Sequence, residues 1–130
     1  MILFYAAEKN RVVEALEEIV AEQLPSRHLV HCRSLVVLEQ RLRRPSHNIE
    51  ILLISVSDAI EMRQLYAMRP LLLDLRMVMV LPGREADIVA WAHKLSPRFI
   101  AYADNGFEQV GAVLEKMVLA QKIVPLRMSR

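Results

Sequence analysis

Glycine is scarce in this chain: Gly83, Gly106 and Gly111 are the only three among 130 residues. Phosphate-cradling loops cluster glycines so that backbone N–H groups can approach the anion, and no such cluster exists here. Cysteine occurs once, as Cys32, which excludes an internal disulfide and a cysteine-rich zinc site and makes a reducing, cytoplasmic setting the expectation. Aromatic residues are 5% of the chain and none is interleaved with the arginines as a stacking platform. Charge of one sign is also missing, since 17 Lys+Arg against 15 Asp+Glu leaves a formal net charge of +2. Together with the lack of a helix-turn-helix pattern, that near-neutral balance argues against nucleic acid as a partner. Long hydrophobic runs are absent too. The N-terminal apolar stretch, Met1 to Ala7, has no basic region before it, and every internal run falls far short of the about 20 residues a bilayer requires, so no membrane partner is expected.

What remains is a chain 54% apolar and 25% charged, a balance that folds around its own core. Its length suits a single domain. No internal repeat or low-complexity linker interrupts it.

Short apolar segments rich in branched residues alternate with helical patterns. Ile2–Ala6, His28–Cys32, Ile49–Ser55, Arg76–Leu81 and Arg98–Tyr102 read as strands. The near-continuous apolarity of the first, third and fourth suits central strands buried on both faces, with the second and fifth flanking them. Between them, Val13, Leu16, Val20 and Leu24 recur at helical spacing over Asn10–Leu24. Ser34 caps a second helix that Pro45 stops. Asp58 and Glu61 have capping-box-like spacing before a third helix that ends ahead of Pro70. Gly83 opens a fourth helix over Glu85–Leu95, and Asn105 with Glu108 precedes a fifth from Phe107 to about Lys122. Five β-α units predict an α/β fold, a five-stranded parallel sheet with helices on both faces. Functional groups in such folds lie outside the carboxyl ends of the strands.

These five units resemble the receiver domain of bacterial response regulators, the CheY-like fold, over roughly Met1 to Lys122, with residues 123–130 as a C-terminal tail. The segment ILFYAAE, Ile2–Glu8, sits where receivers typically carry ILIVDDE. The resemblance implies acidic Mg2+ ligands after the first strand, a phospho-accepting Asp ending the third, a hydroxyl after the fourth and a Lys after the fifth. Laid onto this chain, those positions fall on Ala6 and Ala7, on Ser55 (or Val56), on Pro82, and on Tyr102 or Ala103. Every departure removes chemistry. Mg2+ needs oxygen ligands, which alanines do not supply. Without metal and lysine nothing neutralises the charge of a transferring phosphoryl group. The expectation is a non-enzymatic, phosphorylation-independent pseudo-receiver that needs no cofactor and no metal and acts through a protein partner or as a homodimer. By the same resemblance, the face of the fourth helix, fifth strand and fifth helix is its contact surface, carrying Arg84, Asp87, Trp91, Lys94, Arg98, Glu115 and Lys116.

Other residues keep alternatives open. Glu8, Ser55, Ser57, Asp58 and Asp104 could form a rim that binds a small ligand or performs chemistry, whereas helix capping accounts for Asp58 on its own. Leu71, Leu72, Leu73 and Leu75 crowd a connection that is ordinarily polar, so an exposed remainder would mark a docking patch or a permanent subunit contact. His28 and His31 point to opposite faces of a strand and suit no shared metal, and His47 and His93 have no evident partner. Arg41, Arg43 and Arg44 complement the end of the second helix, and the seven methionines read mostly as core filler.

Overall fold

The computed structural model describes residues 1–25, 28–45, 48–104 and 107–128, the last eight of these as backbone alone. Five strands, β1 (Ile2–Ala6), β2 (Leu29–Cys32), β3 (Ile51–Ser55), β4 (Met77–Leu81) and β5 (Phe99–Tyr102), form one parallel sheet in the order β2-β1-β3-β4-β5. Among the described residues six α-helices accompany them: α1 (Arg11–Gln23), α2 (Leu35–Leu42), α3 (Ala59–Ala67), α4 (Arg69–Leu72), α5 (Ala86–Lys94) and α6 (Val110–Met128). The expected α/β architecture, a flavodoxin-like three-layer sandwich, is the one observed.

The strand order dictates the layers. The β1→β2 crossover moves one way across the sheet and the later crossovers move the other way. Connections of one hand therefore place α1 on one face and α2, α3 and α5 on the opposite face. α6 returns beside α1. Side-chain alternation serves both layers: Ile2, Phe4, Leu53, Val78 and Val80 pack with Val13, Leu16, Val20 and Leu114, while Leu3, Tyr5, Leu52, Ile54 and Met79 pack with Leu38, Met62, Leu65 and Ile88. Strands β1, β3 and β4 are buried at every position, which is why their sequences hardly alternate.

Local chemistry sets the boundaries. Asn10, Ser34 and Asp58 each occupy an N-cap, and their side chains accept from Val13 N, Val37 N and Glu61 N. α5 starts without a side-chain cap at Glu85. Beyond α5, Ser96 adopts φ 52°, the left-handed position that ends many helices, and its N–H bonds to His93 O at 3.1 Å. The leucine-rich connection contains α4, with Pro70 in its first turn where a missing N–H costs nothing. A 3-10 turn at Phe107–Gln109 leads into α6, whose backbone stays helical to Met128, beyond the expected end at about Lys122. The expected cap at Asn105 lies outside the described residues. α6 lies close on α1 at Gly111, where an added Cβ would stand 2.6 Å from Gln23 Cγ and 2.7 Å from Ile19 Cγ2.

Candidate functional site

Strand order reverses between β1 and β3, and the crevice above such a reversal is where ligands of this architecture usually bind. Register brings the expected residues together there. Ala6 pairs with Ser55, Ser55 with Val80, and Leu81 with Tyr102, so the carboxyl ends of β1, β3, β4 and β5 form one rim, with Pro82 following β4. The ladder continues through Val56 N to Val80 O and Ala103 N to Leu81 O. Ala7 and Glu8 lie exposed beyond β1, and Ser55 is buried.

The rim is occupied by contacts within the chain. Arg84 spreads its guanidinium over the Tyr102 ring, 3.8 Å from the centroid, and its Nη2 stands 3.8 Å from Asp104 Oδ1. Both charged side chains are more than half exposed, so this pair fixes geometry more than it stabilises. Asp58 spends its carboxylate on capping α3. Two hollows among the described residues, of about 280 and 310 Å3, lie between α2 and α4 and at the amino ends of β4 and β5. Neither opens at the rim. Among the described residues no group of three His, Cys, Asp or Glu side chains could hold a metal ion.

Beneath the rim lies a contact that the residue pattern concealed. Tyr5 and Glu61 are both buried, and the Tyr5 hydroxyl donates to Glu61 Oε2 at 2.7 Å. Glu61 Oε1 accepts from Ser57 N, also at 2.7 Å. One carboxylate therefore ties β1, the β3–α3 turn and α3 together. Burial, then the Glu61 hydrogen bond and charge, push the Tyr5 phenol far above its usual value of 10.0. The spacing of Asp58 and Glu61 suggests a capping box, whereas Glu61 reaches past the N-cap to Ser57 and across the sheet to Tyr5. A tyrosine inside an otherwise apolar, fully buried strand was the available signal, because a buried phenol needs a hydrogen-bond partner.

The expected contact face divides into separate places. Trp91 turns towards α3 and meets Tyr66 edge-on, with ring centroids 4.8 Å apart and Lys94 Nζ 4.5 Å above the indole. Arg84 belongs to the rim, while Arg98 and Lys116 line the hollow at the opposite end of the sheet. Asp87 and Glu115 are exposed. In the leucine-rich segment Leu72 is buried and takes no part in the surface, Leu71 is half-buried, and Leu73 is exposed. Val36 and Ile60, exposed by 67% and 70%, are prominent apolar residues in the first turns of α2 and α3, close to the rim. His31 pairs with Glu17 at 3.3 Å on the α1 side, His28 and His93 are exposed, and His47 lies outside the described residues. Cys32 is buried, its thiol donates to Ser34 O at 3.4 Å, and burial raises its pKa, so it is held as an unreactive thiol.

The fold has a known counterpart. A pilus assembly-related protein of Burkholderia pseudomallei, solved by crystallography, superimposes with a TM-score of 0.66, covering 89% of this chain and 87% of that one at 16% identity. This likeness establishes the fold. No protein-family model matches the chain. No curated protein matches it by sequence either. No helix among the described residues is long and apolar enough to cross a membrane.

Proposed function

We propose that this chain is a pseudo-receiver: a regulatory domain with a receiver-like fold that works through protein contacts and carries out no phosphoryl transfer. The observation that carries the reading is the set of side chains gathered at the carboxyl ends of β1, β3, β4 and β5. Ala6, Ala7, Ser55, Pro82 and Tyr102 occupy the positions where phosphoryl chemistry requires acids, a phospho-acceptor, a hydroxyl and a lysine. None of these side chains can ligate Mg2+ as a carboxylate would or offset phosphoryl charge as a lysine would. Arg84, a cation at the β5 end of the rim, lies over Tyr102 beside Asp104.

Exposed Val36 and Ile60 beside this rim, and the half-buried Tyr66–Trp91 pair, are the residue types through which proteins recognise one another. The similar Burkholderia protein is described as pilus assembly-related, and a scaffold role within an assembly or signalling complex fits this reading. Incubation with acetyl phosphate and Mg2+, followed by intact mass measurement, tests it. Neither the wild-type chain nor the Tyr102→Lys variant is expected to gain a phosphoryl group, because the acidic pair is missing in both. An acid-stable or acyl-phosphate adduct on β3 or its following turn in either protein would overturn the reading.

A further inference from the structure

At the end of the sheet opposite the rim, cations gather around one hollow. Arg76 precedes β4, Arg98 precedes β5, and Lys116 projects from α6. With Val113, Met117 and Ala120 they line a groove of about 310 Å3. No carboxylate is found among these lining residues, although acids nearly balance cations over the chain as a whole. Arg76 is held in place by donating from Nη1 to Met117 O at 2.9 Å, which fixes the groove wall. Arg98 and Lys116 are exposed, and among the described residues no carboxylate lies within ion-pair distance of either. Arg98 and Lys116, two like charges beside one apolar depression, repel each other, and an anion seated between them would relieve that repulsion.

Resting on the interaction-domain reading, we infer that this groove receives an acidic segment of a partner protein. An aliphatic side chain of the segment enters between Val113, Met117 and Ala120, and flanking carboxylates meet Arg98 and Lys116. The shallow, open shape suits a peptide lying across the surface. The apolar floor asks for more than a bare anion, and the cationic rim selects acidic flanks.

The test uses the full 15N-labelled chain and two acetylated, amidated peptides, Glu-Glu-Leu-Glu-Glu and Lys-Lys-Leu-Lys-Lys. The acidic peptide is expected to shift the amide signals of Arg98, Val113, Lys116, Met117 and Ala120, less strongly as salt rises, while the basic peptide leaves them in place. The Arg98→Glu/Lys116→Glu variant, its fold verified by circular dichroism, should bind the acidic peptide about tenfold more weakly, as the loss and reversal of two rim charges implies. Absence of shifts, or shifts centred on another surface, overturns the inference. Equal shifts from inorganic phosphate alone overturn it in favour of a simple anion site. Groove signals that move with the concentration of the chain itself overturn it in favour of a second copy as occupant. In each of these cases a protein that still takes no phosphoryl group from acetyl phosphate leaves the pseudo-receiver reading standing.

Discussion

Replacement of Tyr5 by Phe should destabilise the protein by about 1–3 kcal/mol, towards the upper end of that range, although it removes only one oxygen. The cost lies in what stays behind. Glu61 Oε2 has Tyr5 as its hydrogen-bond donor at 2.7 Å, and a buried carboxylate oxygen stripped of its donor keeps its full desolvation penalty. Glu61→Ala should be at least as damaging, because it orphans the Tyr5 phenol and Ser57 N together and leaves a void under α3. The two effects are not additive: Tyr5→Phe/Glu61→Ala should lose less than their sum, with a coupling energy of about 1–3 kcal/mol in urea denaturation. A Tyr5→Phe variant within about 0.5 kcal/mol of wild type would remove the contact from any structural role.

The same pair gives an alkaline signature. Folding raises the Tyr5 pKa above 10.0, so in the folded state the phenol holds its proton at pH values where the unfolded chain has released it. Its contribution is therefore complete below pH 10 and is lost as pH rises beyond it, at up to about 1.4 kcal/mol per pH unit. Cys32, raised from 9.0 by burial, adds a loss of the same sign that begins near pH 9. Tyr5→Phe should remove the tyrosine part of this alkaline decline and retain the cysteine part.

Gly111→Val is the second substitution with a large expected effect. α6 and α1 touch where Gly111 has no side chain, and even a Cβ there would come within 2.7 Å of Ile19 Cγ2. Ile19 is β-branched and stiff within a helix, so it cannot swing aside as a long side chain would. Valine adds further bulk at this contact and should cost about 1–3 kcal/mol through overpacking, read as a lower urea midpoint with an unchanged slope. Gly111→Ala sets a smaller clash against the about 1 kcal/mol of helix propensity that alanine gains, and should lie between Val and wild type. A Val variant as stable as wild type would mean that the two helices do not pack at this distance.

The strand and cap positions were legible because each is decided locally. An apolar run such as ILLIS, Ile51–Ser55, has no alternation to satisfy when both of its faces are covered. Asn10, Ser34 and Asp58 act on N–H groups three residues away. The rim was legible through the same logic, since the carboxyl ends of parallel strands must meet. The Tyr5–Glu61 contact was not, because it joins residues 56 apart in sequence whose approach depends on strand order. Trp91 illustrates the same limit: helical spacing places it on a stripe with Asp87 and Lys94, but only the packing of α5 on α3 turns that stripe towards Tyr66. The cationic groove joins residues from before β4, before β5 and along α6, and no short segment contains its pattern.

Affinity capture tests whether the domain engages a protein partner without regard to phosphorylation. The tagged protein is used to capture partners from a lysate of its own organism, divided between acetyl phosphate with Mg2+ and phosphatase treatment of the bait. The same partner should be recovered in equal yield from both halves. Recovery of the bait alone, or of a partner that appears only after acetyl phosphate treatment, would contradict it.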